Sequence, residues 1–191
     1  IPTPGGALIL AARFGRRFGS DKRTYRLPDG RTLLEATIGR YASVYSGLCV
    51  VVRPEDGELE RMLGALPASP RVTHAPDASL GMGHSLAAGI RAIPDDWQWV
   101  SVALGDMPFV TAATLRELLH VFFSSGGQSI VQPEYEGQPG HPVTFPSVYF
   151  PQMAALKGDE GARAVLRQAD SVIRHPVLDA GVLQDVDRPL D

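Results

Sequence analysis

Gly6–Lys22 reads GALILAARFGRRFGSDK. Its first part, Ala7-Leu8-Ile9-Leu10-Ala11-Ala12, carries no charge. A short apolar run of this kind predicts a strand buried on both faces, as in a parallel sheet. From Arg13 the chemistry changes: Gly15 and Gly19 stand among Arg13, Arg16, Arg17 and Lys22. Glycine lets backbone N–H groups approach an anion closely, and successive N–H groups form an anion-binding nest. Guanidinium and ammonium groups supply the countercharge. A strand that ends in such a loop predicts a phosphate site at the carboxyl edge of an α/β sheet. It is not a P-loop, because no G-x-x-x-x-G-K-[ST] occurs, and Gly15 and Gly19 do not fit G-x-G-x-x-G. The plainer alternative is a basic surface loop between a strand and a helix.

Composition narrows the classes. A chain of 191 residues, 44% of them hydrophobic, suits one domain over 1–191 with a sizeable core. No apolar run approaches bilayer length and no leader pattern opens the chain, so a cytoplasmic protein without membrane contact is the expectation. The single cysteine, Cys49, lies in Leu48-Cys49-Val50-Val51-Val52 and reads as a core residue. A net charge of −3 argues against general nucleic-acid binding. Seven of the 18 Lys and Arg residues nevertheless fall between Arg13 and Arg31, against Asp21 and Asp29 alone. A cationic patch on an acidic protein suits a small anionic ligand.

Outward from the first stretch, strand-like and helix-like segments alternate, the pattern of a parallel sheet with crossover helices. Helices are expected over Leu33–Tyr45, from Pro54 to near Leu66, from His84 or Ser85 to Ala92, over Thr111–Phe123 with Thr111 as N-cap, and near Ser147–Leu156 and Gly161–Ala169. Strands are expected over Leu48–Arg53, Arg71–His74, Trp99–Leu104, Ser129–Gln132 and Ser171–His175, with a last extended piece over Gly181–Val186.

Residues just after separate parallel strands can share one cleft. Asp106 follows the strand Trp99–Leu104 and is placed either to hold magnesium on a bound triphosphate or to cap the next helix. Asp185 and Asp187, in DVDRPLD, are a second carboxylate pair or a solvated tail. Gly81 and Gly83 precede a helix whose N-terminal N–H groups could bind a polar ligand. Zinc and Ser-His-Asp chemistry have no motif here.

Leu10–Lys22 resembles the signature L-A-A-G-x-G-x-R-M-G-x-x-K of the nucleotidyltransferases that share the MobA-like NTP transferase fold. Leu10, Ala11, Ala12, Gly15, Arg17, Gly19 and Lys22 match, Phe18 replaces Met, and Arg13 stands where the family has Gly. Leu104–Pro108 looks like the family's D-M-P motif, whose Asp binds the metal. DVDRPLD resembles D-I-D-T-P-x-D, with Arg188 for Thr. GMGHSL, GQPGHP and GDEGAR resemble three further family segments. These motifs occur in the family's order over nearly the whole chain.

The resemblance implies a Rossmann-like three-layer α/β/α nucleotidyltransferase fold with a mostly parallel central sheet. It places Leu10, Ala11, Ala12, Arg13, Gly15, Gly19, Gly81, Gly83 and Ser85 on the nucleotide, and Arg17 and Lys22 on the triphosphate. Mg2+ falls to Asp106 and Asp187, the latter favoured over Asp185. Gly140, His141 and Asp159 fall on the acceptor side. The resemblance is nearest the molybdenum-cofactor cytidylyltransferases, which implies CTP as donor, molybdopterin as acceptor and a molybdoenzyme as partner. Ala11-Ala12 looks like their L-A-A-G, where guanylyltransferases carry L-A-G-G. A different phosphate acceptor, such as a sugar 1-phosphate, is the first alternative. A non-catalytic relative that delivers cofactor to a molybdoenzyme is the second, and Arg13 supports it. Its Cβ disfavours positive φ and close ligand approach, so obstruction or altered specificity is the favoured reading, with a direct phosphate contact as the other.

Overall fold

The apolar run that opens the chain forms β1 (Gly5–Leu10), with a parallel partner on each side, in a computed structural model that describes residues 3–13, 20–188 and 190. There follow α1 (Leu33–Ala42), β2 (Leu48–Val52), α2 (Gly57–Gly64), β3 (Arg71–His74), α3 (Met82–Ala92) and β4 (Trp99–Leu104). The second half holds α4 (Ala112–Ser124), β5 (Ile130–Tyr135), β6 (Gln138–Pro139), β7 (Val143–Pro146), α5 (Phe150–Ala154), α6 (Arg163–Gln168) and β8 (Val172–Pro176). The strands form one sheet in the order β3-β2-β1-β4-β7-β5-β6, with β8 beside β5. Strands β1 to β4 run parallel, and β7 is antiparallel to both β4 and β5. This is the expected mostly parallel α/β/α arrangement.

Period-two alternation along β1 divides the core between two layers. Ala7, Ile9 and Ala11 face a cluster with Leu34, Ile38 and Tyr41 of α1, Leu59 and Leu63 of α2, and Leu115, Leu118 and Phe122 of α4. Leu8, Leu10 and Ala12 face the other layer, with Leu86 and Ile90 of α3, Met153 of α5 and Val165 of α6. Each fully buried side chain of Leu or Ile size contributes about 1.5–3 kcal/mol. Helix starts follow their caps: Thr32 Oγ1 accepts from Glu35 N at 3.1 Å, and Thr111 Oγ1 from Thr114 N at 3.2 Å.

Several boundaries differ from the sequence expectation. Helix α1 stops at Ala42, yet Tyr45 stays buried because its hydroxyl donates to Ser101 Oγ at 2.9 Å. Helix α2 starts at Gly57, because the side chain of Asp56 is drawn into an ion pair with Arg23. Helix α3 starts earlier than expected, at Met82, directly after Gly81 with φ of 135°. The Ser147–Leu156 helix is a 3-10 turn (Ser147–Tyr149) followed by α5. The expected extended piece Gly181–Val186 begins instead as a turn: Ala180–Val182 is 3-10, and Gly181 N donates to Asp179 Oδ1 at 2.8 Å. The antiparallel β7 has no counterpart among the expected strands. It pairs Val143–Pro146 with Trp99–Val102, and the facing Ser101 and Thr144 hydroxyls are hydrogen-bonded to each other.

Candidate functional site

From β1 the chain crosses to β2 and β3 on one side, while β4 lies on the other. A parallel sheet opens a crevice at such a switch point, outside the carboxyl ends of its strands. Leu10 pairs with Leu104, so Ala11 and Ala12 leave the sheet beside Gly105 and Asp106. A cavity of about 740 Å³ opens there.

Three stretches bring charge into it. The first is a 3-10 turn, Lys22–Thr24, capped by Asp21. It carries the Lys22 ammonium to 2.6 Å from Asp106 Oδ2 and 3.7 Å from Asp187 Oδ1. The second is the loop after β4. The third is the tail, which returns because Val186 N donates to the Asp106 carbonyl at 3.0 Å. Asp185 and Asp187, on either side of Val186, then join Asp106, with a carboxylate oxygen of each within 4.8 Å of the others. Burial, then the neighbouring charges of Asp187 and Asp106, push the Asp185 carboxyl above its ordinary pKa. Three carboxylates at this spacing, with no His or Cys in the cluster among the described residues, suit a hard divalent ion such as magnesium or manganese.

The opposite wall is the start of α3. Ser79, Gly81, Met82 and Ser85 line it, with Asp159 from the loop after α5. Ser85 is buried, and its hydroxyl is without a hydrogen-bond partner among the described residues. Gly81 and Gly83 are required by packing against that loop. A Cβ on Gly81 would run into the Gly158 carbonyl, and one on Gly83 would lie 2.8 Å from that of Lys157. Gly83 N donates to the Gly158 carbonyl at 2.8 Å.

The sequence candidates therefore separate. Leu10, Ala11, Ala12, Arg13, Lys22, Gly81, Ser85, Asp106, Asp159 and Asp187 line one cavity. Asp159 lies on the wall formed by α3. Gly83 serves the wall from behind. Gly140 and His141 do not line the cavity: the His141 N–H donates to the Val182 carbonyl at 2.9 Å. Burial, reinforced by Arg163 and opposed by Asp106, lowers the His141 pKa. Gly15, Arg17 and Gly19 lie outside the described residues. Ala11 and Ala12 are almost fully buried, each in one of the two core clusters, so their methyls pack beneath the cavity floor. Arg13 is exposed at the cavity wall. Among described non-glycine residues only Ser69 and Glu136 have positive φ, so Arg13 carries no such strain.

Sequence reasoning misses Arg23, Arg53 and Asp56, and sets Asp185 behind Asp187, although the two acids stand together in the cluster. The alternation Asp185-Val186-Asp187 puts both acids on one side of a buried valine, a legible signal. Arg53 follows β2, and its Nε donates to the Ala12 carbonyl.

Known proteins share this architecture. Residues 7–172 match the sequence model of the MobA-like NTP transferase domain. The chain is 29% identical over 195 residues to the purine catabolism protein PucB of Bacillus subtilis (strain 168), across 95% of this chain and 91% of that protein. The crystal structure of the Rv0371c homologue from Mycobacterium sp. strain JC1 aligns with a TM-score of 0.80 and 29% identity, covering 96% of this chain and 90% of that one. Rv0371c of Mycobacterium tuberculosis H37Rv, solved in complex with manganese, shares the fold with a TM-score of 0.75 and 24% identity, over 92% and 89% of the two chains.

Proposed function

The chain belongs to the MobA-like NTP transferase family, and from that premise we propose that it transfers CMP from CTP to a phosphate-bearing acceptor of the molybdopterin type. The observation that carries the reading is the meeting of Lys22 with Asp106, Asp185 and Asp187 in one cavity at the ends of β1 and β4.

An acceptor phosphate oxygen attacks the α-phosphorus of the nucleotide. The bond to that oxygen forms as the bond to the bridging oxygen breaks, and pyrophosphate leaves. The attacking oxygen is already anionic, so no general base is needed, and catalysis is positioning and charge neutralisation. Lys22, with Arg17, holds the triphosphate against the glycine-rich loop of Gly15 and Gly19. Ser85 and the first turn of α3 take the nucleoside. Asp106, Asp185 and Asp187 would hold a divalent ion, which when bound supplies positive charge to the reacting phosphates. His141 and Gly140, outside the cavity lining, would meet the acceptor at its rim. A molybdoenzyme as recipient of the product belongs to the same reading.

Pyrophosphate release tests it, with CTP, GTP, UTP and ATP each offered with Mg2+ and either molybdopterin or a sugar 1-phosphate. CTP with molybdopterin should be the productive pair. Preference for a sugar 1-phosphate or for GTP would overturn the acceptor or the base. Tight nucleotide binding with no release for any pair would favour a carrier over an enzyme.

A further inference from the structure

Seven cations between Arg13 and Arg31 read in sequence as one phosphate-facing patch, but the Arg23 guanidinium is engaged within the protein. It is 4% exposed, although it borders the cavity. Its Nε donates to Asp21 Oδ1 at 2.9 Å and its Nη2 to Asp21 Oδ2 at 2.9 Å. Nη1 donates to Asp56 Oδ2 at 2.5 Å and Nη2 to Asp56 Oδ1 at 2.8 Å. Nη1 also donates to the Ala11 carbonyl at 2.8 Å. A guanidinium has five N–H donors, and these contacts engage all five. Such a group has no donor left for a phosphate. Burial works against its charge, but the two carboxylates outweigh this and raise the Arg23 pKa.

What Arg23 joins is informative. Asp21 caps the 3-10 turn that carries Lys22. Ala11 directly follows β1 at the cavity floor. Asp56 lies beyond β2 and also accepts from Arg53 N at 2.7 Å. By contrast, among the described residues the Arg26 and Arg31 side chains bond to the local turn at Asp29 and Gly30 on the surface. We propose that Arg23 is a positioning residue, which locks the Lys22 turn to the Ala11 backbone and the β2 exit from beneath the cavity; its value to catalysis rests on the nucleotidyl-transfer reading above. Planar, bidentate geometry on two carboxylates is a task for Arg that a point charge cannot perform.

The test uses a feature of the composition: the chain has two lysines, Lys22 and the exposed Lys157. Limited acetylation read by mass spectrometry reports Lys22 against Lys157 as internal reference. In the wild-type protein Lys22, 8% exposed and paired with Asp106, should react several-fold more slowly than Lys157. Arg23→Met with Asp56→Asn removes both buried charges, and the amide oxygen so introduced can still accept from Arg53 N. Arg23→Gln is the milder variant should the double one fail to fold. In either, with a wild-type circular dichroism spectrum, Lys22 should gain reactivity several-fold while Lys157 does not. Glu117→Gln, which breaks an exposed pair with His175 between α4 and β8, should leave the ratio unchanged. With CTP and molybdopterin, kcat should fall by about tenfold or more while KM for CTP moves less. An unchanged Lys22 to Lys157 ratio in a folded variant overturns the proposal. A changed ratio while the wild-type protein itself transfers nothing upholds the positioning role and sinks the transfer reading.

Discussion

Replacing Lys22 by methionine removes the ammonium and keeps most of the apolar stem. That ammonium lies 2.6 Å from Asp106 Oδ2 and 3.7 Å from Asp187 Oδ1, with Asp185 in the same cluster. The Lys22 side chain is 9% exposed, Asp106 17% and Asp187 59%. Breaking a buried ion pair by removing one partner costs about 3–5 kcal/mol. A solvent-exposed pair is worth about 1 kcal/mol or less. The contact with Asp106 sits toward the first limit and that with Asp187 toward the second, so a loss of about 2 kcal/mol is expected. For a chain of this length that lowers Tm by roughly 4–8 °C. A second effect has the opposite sign. The three carboxylates repel one another more strongly without the Lys22 ammonium, and a divalent ion relieves that repulsion. Saturating Mg2+ or Mn2+ should therefore raise the Tm of Lys22→Met by more than it raises the wild type. Transfer should fall by roughly a hundredfold or more, as for loss of one preorganised charge contact. Calorimetry with and without the metal reads both thermal effects. A variant that melts with the wild type and gains no more from metal would refute the placement of the Lys22 charge.

Arg13→Gly should tighten nucleotide binding several-fold, because an exposed side chain is removed from the cavity wall; weaker binding, most marked at low salt where pairing is least screened, would show that Arg13 holds a phosphate. Tyr41→Phe should stabilise the fold by about 1 kcal/mol, raising Tm by roughly 2–4 °C, because the Tyr41 hydroxyl is buried with no partner among the described residues. A lower Tm in a calorimetric scan would mean that the hydroxyl is satisfied. Asp179→Asn should destabilise at neutral pH: burial raises the Asp179 pKa, but the N–H groups of Thr111 and Gly181 and the Thr114 hydroxyl outweigh it and hold the carboxyl below its usual value. A depressed carboxylate adds stability above its unfolded pKa of about 3.9 and loses it as pH falls through the folded value. The gap in Tm between wild type and variant should accordingly close below about pH 4, and a gap independent of pH would refute the linkage.

The layers were legible because burial imposes periodicity. A strand covered on both faces must be apolar throughout, and β1, β2 and β4 announce themselves in this way. Less legible was whatever is decided by a distant partner. The direction of β7 depends on which neighbour Val143–Pro146 finds, and a four-residue run has no internal sign of it. The start of α3 is set by Gly81 and by the loop of Gly158 packed against it, far along the chain. The 3-10 turn at Ala180 reflects a local side-chain cap by Asp179, which competes with the extended conformation that the apolar residues suggested.

The charges show the same division more sharply. Local spacing could place Lys22 and Asp106 at the ends of elements that converge in a parallel sheet, so their meeting was inferable from topology. It could not say which cations near the loop would remain for a ligand. That depends on acids elsewhere in the fold: Asp29, two residues before Arg31, and Asp56, 33 residues beyond Arg23. The nearby acid produces an exposed pair of little structural consequence. The distant one, brought in by β2 and α2, produces a buried pair that joins three segments. Cation density around a phosphate loop thus overstates its capacity for phosphate. Part of the positive charge is spent on holding the loop's own backbone in place, and the acids that claim it are found only by folding the chain.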